Sequence, residues 1–132
     1  MGPPISTSLI LETLRELNER VSVPLWLFGG VAVDFLVGRW TRPHSDIDLN
    51  TYTESRAVLT DQLRGIGYRT CDTGWLTHWW QDGTGRGVEL VFLDRSPGGL
   101  TELRIPPDAP VGIPGRYPLW PGYLDPERFA TL

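Results

Sequence analysis

Apolar residues recur at Leu9, Ile10, Leu14, Leu17 and Val21, with spacings of one, four, three and four. That period puts them on one face of an amphipathic helix over 6–20, with Ser6, Thr7 or Ser8 placed to cap its start. Pro24 blocks continuation, and the apolar run 25–28 (LWLF) reads as a short buried strand. After Gly29-Gly30 the stretch 31–38 fits a helix, with Val31, Phe35 and Leu36 on one face and Gly38 as its stop. Residues 39–45 form a polar loop, and 46–52 (DIDLNTY) alternate with the period of two that a half-buried strand shows. A second amphipathic helix is expected over 54–67, with Ala57, Val58, Leu59, Leu63 and Ile66 available inward and Gly65 or Gly67 ending it. Two strands, 74–80 and 87–94, flank QDGTGR, whose Asp-Gly and repeated glycines signal a hairpin. Beyond Ser96 the pattern predicts loops, one short strand near 111–117 and a last helical turn at 126–131. The order α-β-α-β-α-β-β, with a hairpin beside crossovers, indicates an α/β (α+β) fold: a mixed sheet flanked by helices.

Composition narrows this picture. A chain of 132 residues supports one core, so 1–96 is expected to be the core domain and 97–132 an irregular extension packed on it. Eight of the twelve prolines fall between Pro97 and Pro126, which is why that tail carries little regular structure. A net charge of −4 argues against nucleic acid as a partner. Every basic residue is arginine, so phosphate would be held by guanidinium forks, backbone N–H groups or a metal, and no lysine can act as nucleophile. The single Cys71 has no partner for a disulfide and no metal-ligand spacing. The first twenty residues lack the basic and apolar regions of a signal peptide, and no apolar run reaches a membrane span, so a cytoplasmic location without membrane contact is expected.

Candidate chemistry centres on two short motifs. In a strand, Asp46 and Asp48 point to the same face, and two carboxylates held so close repel unless a cation lies between them. Mg²⁺ suits such a pair, since it takes one or two carboxylates and completes its shell with water and substrate phosphate. Gly29-Gly30 lies between strand and helix, where bare backbone and a helix N-terminus can hold an anion. Glu89, inside the apolar run GVELVFL, is the candidate third acid if its strand neighbours that of Asp48. Each feature has a plainer reading: an isolated Asp-x-Asp, a tight turn, a glutamate facing water. Trp75, His78, Trp79 and Trp80 supply a face for stacking a base, sugar or drug ring, or equally pack in the core or at a dimer contact.

Taken together, Gly29, Gly30, Ala32, Asp34, Leu36, Gly38, Arg39, Thr41, Arg42, His44, Asp46 and Asp48 run in an order that resembles the nucleotidyltransferases of the DNA polymerase beta superfamily. The resemblance is closer to the small antibiotic-modifying branch, the aminoglycoside 2''-adenylyltransferases and lincosamide nucleotidyltransferases. It is strongest over 25–49, colinear to Asp94, and departs from the family at Val31, where tryptophan is common, and at Glu89, where aspartate is usual. The resemblance implies a minimal nucleotidyltransferase fold. It implies transfer of a nucleoside monophosphate, AMP from ATP, to a hydroxyl of a small acceptor such as an aminoglycoside, a lincosamide or a related metabolite. Asp46, Asp48 and Glu89 would then be the catalytic and metal-binding acids for Mg²⁺. Gly29, Gly30, Arg39, Arg42 and His44 would serve the nucleotide or order its loop, and the tryptophan-rich segment would meet the acceptor. Small family members often pair, so by analogy a homodimer is open to this chain, with the tryptophan-rich hairpin available as its contact. The competing readings are a repurposed domain that binds a ligand or partner without transfer, and an antitoxin-type enzyme that adenylylates a protein.

Overall fold

A computed structural model describes residues 2–72, 74–95, 101–105, 107 and 115–118. Helix α1 (Thr7–Arg20) begins where Ser6 accepts a hydrogen bond from the Leu9 backbone N–H at 3.2 Å, so the first of the three candidate caps is the one used. Strand β1 (Trp26–Phe28) leads directly into α2 (Gly29–Val37), and Gly38 closes that helix in the left-handed region at φ +88°. Next come β2 (Asp48–Tyr52), a 3₁₀ turn at Thr53–Ser55 and α3 (Arg56–Gly65). A two-residue strand β3 (Tyr68–Arg69) precedes the hairpin of β4 (Leu76–Gln81) and β5 (Gly87–Arg95). Gly83 and Gly85, both at positive φ, turn that hairpin as the sequence indicated.

The strands lie in the order β1-β2-β5-β4-β3. Only β2 and β5 are parallel to one another among these neighbours; the other pairs are antiparallel. One face of the sheet is covered by α1 and α3. Ile10, Leu14 and Leu17 from α1 and Leu59 and Leu63 from α3 pack against Leu49, Val88, Leu90 and Phe92. Each such fully buried side chain is worth about 1.5–3 kcal/mol, so this single layer of contacts fixes the sheet's orientation. Arg86 ties the hairpin to α1 through Glu16 at 2.7 Å, and burial together with the Glu16 charge pushes the neighbouring Tyr68 hydroxyl upward in pKa. The opposite face, which carries Asp48, Glu89 and His78, is where the candidate chemistry lies.

Several expectations need correction. The tail is not all loop: β6 (Thr101–Ile105) pairs with the far end of β5, on the edge β4 has left, and β7 (Gly115–Pro118) pairs with β6. β7 overlaps the strand expected near 111–117, whereas the turn expected at 126–131 lies outside the described residues. Leu36 and Val58, assigned inward by periodicity, are 55% and 49% exposed. On α2 Val31 is buried and Phe35 packs against the core as expected, and the unexpected buried position is Asp34, drawn in by polar partners on the following loop.

Candidate active site

The site is built where β1 hands over to α2. Phe28 pairs with Asp48 across the β1–β2 ladder, and Gly29 follows with φ +72°. A Cβ at Gly29 would run into the Asp48 carboxylate, and one at Gly30 would collide with the Arg42 guanidinium and lie 3.0 Å from His44 Nδ1. The two glycines therefore make room for the acid and for the basic loop, a steric demand beyond that of a turn. Helix α2 has no side-chain cap and no acidic residue in its first turn, so its leading N–H groups and partial positive charge stay available to an anion.

Asp34 organises the loop that carries these residues. It is 3% exposed and accepts hydrogen bonds from the Thr41 hydroxyl, from the Thr41 backbone N–H at 3.1 Å and from His44 Nε2 at 2.6 Å. The hydroxyl of Thr41, followed by His44, lowers its carboxyl to about 2. A carboxylate so held has no proton to give, so the imidazole donates. His44 is buried, with its backbone oxygen accepting from Ile5 N–H at 2.7 Å; the geometry makes it a fastener of the loop between α2 and β2. Arg42 and Arg39 are exposed on that loop, Arg42 with its guanidinium over Gly30. Asp34 and Thr41 were not singled out as site residues from the sequence. The available signal was an aspartate in the middle of an otherwise apolar helix, where only a bonded carboxylate is tolerated.

Asp48 pairs in register with Glu89 on the parallel neighbour β5. Burial pushes the Asp48 carboxyl up to about 7, reinforced by a hydrogen bond with Glu89, the Glu89 charge and the Asp46 charge. Asp46 lies two residues before the start of β2, just ahead of the strand, and is exposed, and its charge acts on Asp48. Ile47 between them is buried as expected. Among the described residues no group of three His, Cys, Asp or Glu side chains is gathered closely enough to enclose a metal ion. The donor set fits an ion that brings other ligands: two adjacent carboxylates, one made proton-hungry by burial and by its charged neighbours, and a third negative charge nearby.

His78 pairs with Glu89 from the other side, on β4. His78 is exposed and Trp80 half-buried on this same face, whereas Trp79 points the opposite way, 3% exposed in the core, with its indole N–H donating to Thr77 at 3.0 Å. Trp79 is therefore removed from the substrate candidates, since alternation along β4 commits it to the helix side. Trp75 lines a cavity of about 280 Å³ with Phe28, Asp48 and Glu89. His78 and Trp80 line a second one of about 430 Å³ with Asp46 and Glu89. Among the described residues no helix is long and apolar enough to cross a membrane.

The profile of the aminoglycoside-2''-adenylyltransferase family matches residues 10–114. A 2''-aminoglycoside nucleotidyltransferase of Klebsiella pneumoniae is 36% identical over 89 residues, 57% of this chain and 50% of that protein. The chain thus spans about half the length of the curated relatives it matches. Among solved structures, the lincosamide antibiotic adenylyltransferase LnuA with bound lincomycin superposes with a TM-score of 0.65 at 20% identity, over 90% of this chain and 72% of that one. ANT(2'')-Ia in complex with adenylyl-2''-tobramycin superposes at 0.59 with 25% identity, over 89% and 72%.

Proposed function

Because this chain belongs to the aminoglycoside-2''-adenylyltransferase family, we propose that it is a nucleotidyltransferase acting on a small hydroxylated acceptor. The donor is ATP, the group transferred is AMP, and the acceptor is an aminoglycoside, a lincosamide or a related metabolite. The reading rests on one observation above the others: Asp48 and Glu89 are held side by side, with the Asp48 carboxyl pushed up to about 7, next to the open N-terminus of α2.

In this reading the α2 N–H groups and Arg42 hold the phosphates that will leave. Asp48 and Glu89 would hold Mg²⁺, with Asp46 adding negative charge; when bound, the ion offsets charge developing on the phosphoryl oxygens. The acceptor oxygen attacks the α-phosphorus in line, its new O–P bond forming as the bridge to the β-phosphate breaks. Pyrophosphate departs, and the hydroxyl proton passes to the Glu89 carboxylate. Asp34, Thr41 and His44 never meet the substrate; they hold the loop that aims Arg42 and leads into Asp48. A cytoplasmic setting, where ATP and Mg²⁺ are plentiful, belongs to the same proposal.

Calorimetric titration with a non-hydrolysable ATP analogue tests it. Binding should require Mg²⁺ and disappear in Asp48→Asn. Binding that ignores Mg²⁺, or survives that substitution unchanged, would overturn the proposal.

A further inference from the structure

Helix α1 carries Glu12 and Glu16 four residues apart, so the two carboxylates stand one above the other on the same face. Like charges so placed oppose the helix unless a cation outside it answers them. Arg86 does so from the hairpin. Its Nη1 donates to Glu16 Oε2 at 2.7 Å, and its Nη2 lies 4.0 Å from Glu12 Oε2. The Glu16 end is enclosed: Glu16 Oε1, Arg86 Nε and the neighbouring Tyr68 hydroxyl are all buried. A charged hydrogen bond shielded from water in this way holds more firmly than a surface pair.

The place of this pair gives it a task. Gly83, Gly85 and Gly87 alternate through the turn, and the Thr84 hydroxyl donates back to Gln81 of the same hairpin. Arg86 is therefore the residue of these five whose side chain ties the segment to another element. Glu89 stands three residues further on, at the first rung of the parallel ladder. There it pairs with Asp48, and its N–H donates to the Ile47 carbonyl at 2.8 Å. Toward the turn from that rung, β5 has β4 as its strand partner and β2 no longer reaches it. The end of a ladder opens first unless the chain beyond it is secured. On the β4 side that is done by β3 and by Gln81, which donates to the Ile66 carbonyl at 2.6 Å. On the β5 side it is done by Arg86. Helix α1 is held in turn at its start, where the Ile5 N–H donates to the His44 carbonyl at 2.7 Å, in the loop that leads to Asp48. One helix thus braces both segments that bring the carboxylates together.

We infer that Arg86 is a positioning residue for the proposed transfer: held chiefly by Glu16 of α1, it seats the glycine-rich end of the hairpin and so keeps Glu89 against Asp48. The inference rests on the nucleotidyl-transfer reading for the role of Glu89. Two readouts test it: amide hydrogen exchange of the metal-free protein, and the Mg²⁺ concentration at which a non-hydrolysable ATP analogue binds half-maximally. In Arg86→Met the Glu89 N–H should exchange about tenfold faster or more relative to Val91 in the middle of the strand, the loss of one charge-assisted hydrogen bond. The Mg²⁺ requirement should rise by about tenfold, as when a group that orients a metal ligand is removed. Glu16→Gln keeps the shape and an acceptor for the guanidinium but not the charge, and should move both readouts the same way by less, even where Arg86→Met folds poorly. Gly38→Ala, whose Cβ meets nothing, measures lost stability alone and should leave the Mg²⁺ requirement as in the parent. Faster exchange at Glu89 with an unchanged Mg²⁺ requirement would make the pair structural only, and no change in either would show that Arg86 does not seat the strand; both results overturn the inference. If the unchanged protein binds no Mg²⁺–analogue, the nucleotidyl-transfer reading falls instead, and exchange at Glu89 still decides whether Arg86 seats the strand.

Discussion

Gly29→Ala is the most informative single change, because two effects combine there and a second glycine separates them. At φ +72° an alanine carries backbone strain of about 1–2 kcal/mol. Its Cβ would also run into the Asp48 carboxylate, forcing it away from Glu89. Gly38 has the same kind of backbone, φ +88°, but nothing within 4 Å of its would-be Cβ. Gly38→Ala should therefore show the strain alone, a fall in thermal midpoint of roughly 4–8 °C for a chain of this size. Gly29→Ala should fall at least as far and, in calorimetry with the Mg²⁺–ATP analogue, lose more than about tenfold in affinity, some 1.4 kcal/mol or more. Gly38→Ala should bind the analogue as the parent does. If the two variants lose equal stability and both bind normally, the collision with Asp48 has no consequence and the carboxylate is not where the nucleotide's ion is held.

Two further predictions concern pH. The Asp48 carboxyl, raised to about 7, keeps a proton in the folded protein that the unfolded chain gives up near pH 4, so its contribution to stability is full below that pH and is lost as pH rises through 7. Asp48→Asn, without divalent ions, should therefore melt above the parent at pH 8 and close to it at pH 4; equal slopes in the two proteins would refute the raised carboxyl. Asp34 has the opposite sign: lowered to about 2, it stabilises above about pH 4 and loses that contribution as pH falls through 2. Asp34→Asn should melt below the parent at pH 7, the gap narrowing between pH 4 and pH 2. A gap that persists at pH 2 would mean that the Thr41 and His44 contacts do not depend on the carboxylate charge.

Much of the frame could be read from period and punctuation. The Ser6 cap, the Gly38 stop and the hairpin at Gly83 and Gly85 are local events, decided by residues within a turn of one another. What escaped depended on distant partners. Strand β6 is five residues squeezed between Gly99 and Pro106, too short for its alternation to outweigh its breakers until β5 offers an edge. Leu36 satisfies helical periodicity, but α2 turns Asp34 inward because three hydrogen bonds await it on the next loop. In the site itself Glu89 was legible as a charge in an apolar strand, while its pairing with Asp48 needed the sheet order. Asp46 and Asp48 look alike by spacing, whereas in the structure β2 begins at Asp48, which is half-buried, and Asp46 just before it is exposed. Trp79 belonged to an aromatic run whose two faces the strand divides between core and cavity.

The row of paired residues from Phe28 through Asp48 and Glu89 to His78, one on each of four neighbouring strands, also has a kinetic side. His78 and Glu89 face each other across a hairpin, a contact the chain can close within microseconds. Phe28 and Asp48 need the α2 crossover first, and Asp48 and Glu89, the pair farthest apart in sequence, must wait until α3 and the whole hairpin have been brought round to the parallel ladder. Sequence separation therefore predicts that the His78 end of the row closes while the two carboxylates are still apart, so that their mutual repulsion falls on the last join. Divalent ions present during refolding would ease that join, and the appearance of the site would report the slowest step of the chain's own assembly.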